Sequence, residues 1–271
     1  MKLITEETIL DIKKWAKPKT IGIASLKNIS TGIKSTIEKM YEAIPSNKRI
    51  SYGIVHTVKE LGQYLYGFYT ESEVDIFKVA SGIYELSLNF ESKAVSLCIL
   101  SFHGLDNPDK VLPYFEKSAT DESWELREIS QILFRKLIKI FPGEMQQFLL
   151  RLVISKDPNA RRFVGETLRP VCENKWFYKQ PEYSLTVIKF LFQETKTYPR
   201  TSTGNNLSDL ARHLPQLVYQ VVEELVESGD KNSYWIAYRA CRNLVKKEPE
   251  KVMQILKTGS FKYKDRIYTM E

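Results

Sequence analysis

Asp121–Pro142 reads DESWELREISQILFRKLIKIFP, the pattern of one amphipathic helix with a polar, capped start and a proline stop. The same pattern returns three times downstream. Each copy opens with turn or capping residues, carries an arginine in its first turns, has a leucine in mid-helix and closes at a proline. The copies are Asp157–Pro170 (DPNARRFVGETLRP), Tyr198–Pro215 (YPRTSTGNNLSDLARHLP) and Asn232–Pro249 (NSYWIAYRACRNLVKKEP).

The spacing of these copies predicts the fold class. Aligning Leu133, Leu168, Leu207 and Leu244 gives intervals of 35, 39 and 37 residues. Repetition at this period is typical of helical solenoids, in which one repeat cannot bury its apolar face alone and neighbours stack to do so. We therefore predict an all-α fold, a right-handed α-solenoid (an α-α superhelix) of HEAT-like helical pairs.

The end of the chain changes period. Ser260–Met270 (SFKYKDRIYTM) alternates apolar and polar residues around Lys264-Asp265-Arg266, which predicts a small β-hairpin over 260–270 with a basic tip. The alternative is a frayed tail. Because composition shows no break elsewhere, we expect one domain over residues 1–271, with about six helical pairs.

The charge distribution points to a polyanionic partner. The net charge is +7 and the sequence pI about 9.1, and eleven of the twelve arginines lie at or after Arg127. Arginine is suited to bidentate phosphate contacts, so the second half of the chain is expected to carry the binding face. The plainer alternative is a mildly basic protein with no such partner.

Cysteine and histidine spacing argues against a metal. Cys98, Cys172 and Cys241 form no CxxC motif, and the three histidines are scattered, so we expect neither a zinc site nor a disulfide framework. We expect no cofactor. With no run of about 18 apolar residues, the protein is expected to be soluble, cytoplasmic and monomeric, without a membrane contact.

The arginines follow the starts of the repeated helices. In a solenoid, equivalent positions line one face, where free backbone N–H groups, the positive helix end and guanidinium groups together favour phosphates. The alternative is solvated charge or ion pairing between repeats. The predicted phosphate-binding residues here are Arg127, Arg161, Arg162, Arg200, Arg239 and Arg242, joined by Lys262, Lys264 and Arg266 of the hairpin.

Two further groups could carry chemistry. Trp124 and Glu128 are four residues apart and share a helix face, so the carboxylate could stabilise an oxocarbenium-like sugar beside the aromatic ring. The alternative is a core tryptophan and a surface glutamate. Asn205, Asn206 and Asp209 form a polar patch beside Gly204, for which the alternative is capping and hydrogen bonding between helices.

These segments resemble a known family. SWELREISQILFRKL, DPNARRFVGETLRP, TSTGNNLSDLARHLP and YWIAYRACRNLVKK are similar to the HEAT-like-repeat DNA glycosylase superfamily of the AlkC/AlkD type, over roughly residues 75–250. The resemblance implies an α-solenoid that holds duplex DNA in a concave cationic groove. It also implies that catalytic members release alkylated purines without metal, by means of a carboxylate and aromatic residues.

The resemblance is closest to a non-catalytic branch. AlkD has Trp followed four residues later by Asp, where this chain has Trp124 and Glu128, and AlkD has a second Trp where this chain has Asn205. The segment Asn205–Asp209 is nearer the AlkC version. The relatives called AlkF and AlkG share the fold, resemble binders of branched DNA such as Holliday junctions, and carry a DNA-contacting β-hairpin. Candidates for that hairpin are Ser260–Met270 and Asn174–Tyr183 (NKWFYKQPEY).

Three functions follow as hypotheses. The first is a protein that binds branched or distorted DNA without base excision, using Trp124, Asn205 and the basic residues above. The second is an N-alkylpurine DNA glycosylase that excises N3- or N7-alkylated bases, with Glu128 and Asp209 as its carboxylates. The third is a protein-interaction solenoid for an acidic peptide.

Overall fold

The computed structural model describes residues 3–17, 21–49, 53–264 and 266–270. The chain divides into two compact units, Met1–Leu137 and Ile138–Glu271. Each unit is built from short helices joined by tight turns, and the single domain predicted from composition stays a prediction.

The first unit is organised around α5 (Phe90–His103), whose residues Ala94–Ser101 are all buried. Asn89 begins this helix, its side chain accepting a hydrogen bond from Ser92 N at 2.8 Å. The helix packs against α2, α3, α4 and α6, so that its apolar surface is covered on several sides. The helices of this unit are α1 (Glu6–Trp15), α2 (Ile23–Glu42), α3 (Gly53–Glu71), α4 (Ile76–Leu86), α5 and α6 (Pro108–Ala119), followed by the start of α7 (Trp124–Ile140).

The second unit has two layers of helices. α11 packs against both α9 and α13, and these three form one layer. In the other layer α8 packs against α10, and α12 packs against α14. The helices are α8 (Pro142–Val153), α9 (Pro158–Thr167), α10 (Glu182–Ile188), α11 (Thr197–Leu210), α12 (Pro215–Glu227), α13 (Lys231–Ala240) and α14 (Pro249–Ile255).

The four leucines that define the predicted repeat all belong to the hydrophobic core. Leu133, Leu168, Leu207 and Leu244 are all buried, with at most 2% of each exposed. The predicted caps are present at two copies: Ser123 Oγ accepts from Leu126 N, and Asp157 Oδ1 accepts from Asn159 N. In the last copy the helix begins earlier than predicted, because Asp230 supplies the cap.

The predicted hairpin is confirmed. β1 (Ser260–Tyr263) pairs antiparallel with β2 (Arg266–Thr269), with Lys262 opposite Ile267 and Tyr263 opposite Arg266. An isolated pair of strands is only marginally stable, and this one packs on α14 and on α13. Asp265, which the sequence prediction included in the basic tip, lies outside the described residues.

The second hairpin candidate, Asn174–Tyr183, was wrong. Cys172–Tyr178 is a 3₁₀ helix in which the Phe177 side chain turns inward, while Trp176 and Tyr178 are half-buried. Phe177 is fully buried, with its ring centre 4.5 Å from that of Trp176 and 5.2 Å from that of Tyr183. Asn174 Nδ2 donates to Thr167 O at 2.7 Å. Burial of Phe177, and the packing of Trp176 and Tyr183 on it, account for an aromatic run that resembled an exposed loop in sequence.

Candidate nucleic-acid interface

The site is built where α11 lies against α13 in the second unit. Asn205 Oδ1 accepts two hydrogen bonds, from Arg239 Nε at 2.9 Å and from an Arg242 guanidinium nitrogen at 2.7 Å. Asn205 lies on α11, and both arginines lie on the face of α13 and the turn after it. One neutral amide oxygen therefore holds two guanidinium groups side by side.

These arginines line a cleft of about 330 Å³, which we call the basic cleft. It lies between the end of α13 and strand β1. Among the described residues that line it, none is acidic. They comprise four cationic side chains, Arg239, Arg242, Lys262 and Lys264, and three aromatic ones, Trp235, Tyr238 and Tyr263.

Tyr238 fixes the hairpin to α13. Its hydroxyl accepts a hydrogen bond from Lys262 N at 2.7 Å, and its ring stacks on Phe261 with centres 4.2 Å apart and planes 12° apart. Phe261 is fully buried. The strand is thereby held so that Lys262 and Lys264 border the same cleft as the two arginines.

The pKa shifts around the cleft come from burial and from neighbouring charges. Burial, and then the charge of Arg242, lowers the pKa of Arg239, while Glu166 opposes this. Burial also lowers the pKa of Arg242; Tyr263 and Asp209 oppose this, and Arg169 and Arg212 add to it. Burial raises the pKa of Tyr263, but Lys246, Lys264 and Arg242 together lower it by more, so that its net pKa is reduced. A nearby anion would relieve this repulsion.

Other predicted arginines are committed to the protein itself. Arg161 donates to both carboxylate oxygens of Glu194, at 2.6 and 3.0 Å, and to Ser155 O at 2.7 Å. Arg127 donates to the carbonyl oxygens of Asp121 and Glu122, which precede its own helix. These two arginines occupy equivalent positions in their repeats, as the sequence indicated, but they tie each helix start to the turn before it.

Of the remaining predicted basic residues, two lie near aromatic rings and one is exposed on the hairpin. Arg200 donates to Asn232 Oδ1 at 2.6 Å and lies 4.7 Å from the centre of the Trp235 ring. Arg162 lies 5.9 Å from the ring centre of Tyr198. Arg266, opposite Tyr263 on the hairpin, is exposed. Of the predicted DNA-binding set, the structure therefore brings together Arg239, Arg242, Lys262 and Lys264, with Asn205 behind them.

Trp124 and Glu128 lie on a different cleft, within the first unit. This cleft, of about 520 Å³, is lined largely by apolar side chains together with Glu125, Glu128 and Arg49. Trp124 is 63% exposed. Glu128 accepts a hydrogen bond from Gln131 Nε2 at 2.7 Å, and Gln131 in turn accepts one from Arg135 at 2.8 Å. We call this cleft, which Trp124 and Glu128 line, the apolar cleft.

Asp209 is buried beneath the site. Only 3% of it is exposed, and Arg169 donates to its Oδ2 through two nitrogens, at 2.8 and 2.7 Å. Arg169 also binds Glu166, whose other oxygen accepts from Ser202 Oγ at 2.7 Å. Burial lowers the pKa of Arg169, but the two carboxylates raise it by more. In this arrangement Asp209 serves as a counter-ion.

Within the described ranges, no three His, Cys, Asp or Glu side chains come together as a metal site. No helix in those ranges has the length and apolar character needed to cross a bilayer.

Sequence reasoning missed the aromatic walls of the basic cleft. Trp235, Arg239 and Arg242 follow one another at i, i+4 and i+7, a spacing that could have indicated a shared helix face. No local signal relates Tyr263 to these residues, since the hairpin reaches them only through the tertiary fold. In the apolar cleft, likewise, no local signal relates Arg49 to Trp124 and Glu128, because only the tertiary fold brings them together.

No family model matches the chain. Over 168 residues the chain is 26% identical to the uncharacterized protein YhaZ of Bacillus subtilis (strain 168). The match covers 57% of this chain and 46% of YhaZ, so it spans about half the length of that curated relative.

Two solved structures from Streptococcus mutans share the fold. They are smu.31 of strain UA159, with a TM-score of 0.57, and AlkD2, with a TM-score of 0.56. Each is 18% identical, and each comparison covers 77% of this chain and 97% of the other. This likeness confirms the predicted fold class, an all-α helical solenoid, and nothing in it distinguishes the AlkF and AlkG branch.

Proposed function

We propose that this chain is a DNA-binding protein that contacts phosphates through the basic cleft. The observation that carries the proposal is the pairing of Arg239 and Arg242 on a neutral acceptor, Asn205, rather than on a carboxylate. A guanidinium group that has no carboxylate partner keeps its full charge for a ligand. Phosphate oxygens suit this geometry because two guanidinium planes can donate to them in parallel.

The contrast with neighbouring arginines supports this assignment. Arg161 and Arg169 are also partly buried, yet each is neutralised by carboxylates. Among the described residues, the same unit therefore contains structural arginines that pair with carboxylates and cleft arginines that form no such ion pair.

We further propose that the preferred ligand is branched or distorted duplex DNA, bound without base excision, as in the AlkF and AlkG branch of the resembling family. Two observations support this. Asn205 stands at the position of an AlkD aromatic residue and is engaged with arginines, and Asp209 is engaged with Arg169. Binding governed by phosphate placement would then select DNA by its shape.

Electrophoretic mobility shifts on four-way junctions, three-way junctions and plain duplex of equal length would test the proposal. We expect tighter binding to the junctions, and for each ligand an affinity that falls as salt rises. Arg239→Gln and Arg242→Gln should each weaken binding about tenfold and reduce the salt slope by about one.

Lys257→Gln is the matched control for the loss of one positive charge. Lys257 is exposed and borders a separate pocket with Glu223 and Glu227, so its removal should leave affinity unchanged. Equal, salt-insensitive binding to all three DNAs would contradict the proposal. Affinity for an acidic peptide with none for DNA would support the protein-interaction alternative instead.

A second candidate, an N-alkylpurine DNA glycosylase, is favoured by the apolar cleft. An exposed tryptophan beside a carboxylate on a mostly apolar wall could hold an alkylated base, with Glu128 stabilising the charge that develops on the sugar. Release of methylated base from alkylated DNA, abolished by Glu128→Gln while DNA binding persists, would establish this activity. No release by the unaltered protein would exclude it.

A further inference from the structure

The basic cleft has more positive charge than one backbone phosphate requires. Four cationic side chains border a space of about 330 Å³, and no described lining residue is acidic. Each phosphodiester within a DNA strand has a single negative charge. A terminal phosphomonoester has between about 1.5 and 2 negative charges at pH 7, because its second pKa lies near 6.

The arginines retain unused donors. A guanidinium group has five N–H groups, and Asn205 engages one nitrogen of Arg239 and one of Arg242. Neither arginine forms an ion pair with a described carboxylate, in contrast to Arg161 and Arg169. The donors left over suit an anion with three free oxygens.

The size and walls of the cleft also suit a nucleotide. A volume of about 330 Å³ lies at the small end of the range for small-molecule sites. Aromatic side chains next to cationic ones provide stacking surfaces for an unpaired base, and such stacking does not depend on its identity. The indole of Trp235 is held in place by Arg200 and Arg239, whose guanidinium carbons lie 4.7 and 5.5 Å from its ring centre.

We propose that the basic cleft binds the terminal phosphomonoester of an unpaired nucleotide at the end of a DNA strand. Arg239, Arg242, Lys262 and Lys264 contact the phosphate, and the terminal base lies against the aromatic wall. This inference rests on the proposed DNA binding and deepens it, because it names the feature of the DNA that occupies the cleft. A free mononucleotide offers the same chemistry and is distinguished below.

Fluorescence anisotropy with duplexes that carry a short single-stranded overhang would test the inference. The overhang would end in a hydroxyl, in a phosphate, or in a phosphate esterified by an alkyl spacer, which leaves a single charge. Both 5′ and 3′ ends would be compared. We expect one phosphorylated end to bind about tenfold more tightly than its hydroxyl counterpart, and the esterified end to lose most of this gain.

Substitutions would show whether the preference for a phosphorylated end arises in the basic cleft. Arg242→Gln should abolish the preference for the phosphorylated end, whereas Lys257→Gln should preserve it. Equal affinities for hydroxyl, phosphate and esterified ends would overturn the inference. So would displacement of the phosphorylated strand by equimolar free dAMP, which would assign the cleft to mononucleotides.

A separate experiment distinguishes failure of the proposed DNA binding from failure of the proposed terminal-phosphate recognition. A duplex circle without ends reports binding to internal phosphates alone. Binding to this circle with no preference for a phosphorylated end would overturn the present inference and leave DNA binding standing. Absence of binding to every DNA would overturn both.

Discussion

Gly204 lies directly against Arg239. A methyl group added at residue 204 would lie 2.8 Å from Arg239 Cβ and 3.0 and 3.1 Å from its Cγ and Cδ. The close approach of α11 to α13 therefore depends on the missing side chain at residue 204. It also brings the next residue, Asn205, within hydrogen-bonding distance of the arginine.

Gly204→Ala should displace the Arg239 side chain and weaken its hydrogen bond to Asn205. We expect a loss of about 1–3 kcal/mol in the free energy of unfolding, which is typical of overpacking, together with weaker DNA binding. Urea unfolding and anisotropy would measure the two effects. Gly143→Ala is the control, because no atom lies within 4 Å of a Cβ placed there. An alanine at 204 that changed neither quantity would contradict the packing argument.

Tyr238→Phe should loosen the hairpin. The change removes the acceptor of the Lys262 amide but keeps the ring stacked on Phe261, so a loss of about 1 kcal/mol or less is expected. Hydrogen exchange of residues 260–264 should accelerate, and DNA affinity should fall. Tyr234→Phe serves as the control, since that hydroxyl donates to Leu256 O instead. Faster exchange in both variants would show that the effect is not specific to the hairpin contact.

Glu194→Gln should destabilise the protein without affecting DNA binding. Arg161 and Glu194 have side-chain exposures of only 15% and 5%, so an uncharged partner leaves a largely buried guanidinium unpaired. We expect a loss of about 2–3 kcal/mol at pH 7, measured by urea unfolding. Glu224→Gln, an exposed change in the same unit, should cost little. Weakened DNA binding by stably folded Glu194→Gln would contradict a purely structural role for Arg161.

The same ion pair predicts a pH dependence. Burial raises the pKa of Glu194, but hydrogen bonds from Arg161 and the Lys196 amide lower it by more, so the folded-state pKa lies below its ordinary value of 4.5. The carboxylate thus stabilises the fold above pH 4.5, and this contribution is lost as pH falls through the folded-state pKa. The stabilities of the wild type and Glu194→Gln should therefore converge under acid conditions. A constant difference from pH 7 to pH 3 would contradict this.

Gly62→Ala and Gly67→Ala should have opposite effects although both lie in α3. A Cβ at residue 62 would lie 2.6 Å from Cys98 Sγ and 2.7 Å from its Cβ, whereas a Cβ at residue 67 meets no atom within 4 Å. We expect Gly62→Ala to cost about 1–3 kcal/mol and Gly67→Ala to stabilise by about 0.5–1 kcal/mol. Thermal unfolding of the two variants would measure both. Equal stabilities would show that α3 and α5 adjust to the added methyl group.

Much of the fold was predictable because it depends on local signals. Leucines at repeat intervals, capping residues such as Asp157 and the closing prolines each act within one helix, and they predicted the helices and the repeat. The hairpin was predictable for the same reason, since alternation over a few residues is a local property. The aromatic run at Asn174–Tyr183 misled because a sequence does not distinguish buried rings from exposed ones.

The site was predictable only in part. The sequence indicated that Arg127, Arg161 and Arg239 follow helix starts in equivalent registers. Arg127 and Arg161 do so, but Arg239 lies in the last turn of its helix, because α13 begins at Lys231 and ends at Ala240. A guanidinium on a long side chain can also reach many partners. Which partner it finds depends on residues 30 or more positions away, such as Glu194 for Arg161 and Asn205 for Arg239. The ion pair of Arg161 and the amide contact of Arg239 could not be derived from spacing.

The sequence by itself therefore determined an all-α repeat protein with a basic second half and a C-terminal hairpin, because composition, periodicity and capping are local. Only the tertiary structure decided which positive charges remain available to a ligand. Charge is neutralised by whichever carboxylate lies nearby in space, and the packing of α11, α13 and the hairpin leaves Arg239 and Arg242 facing an amide oxygen instead.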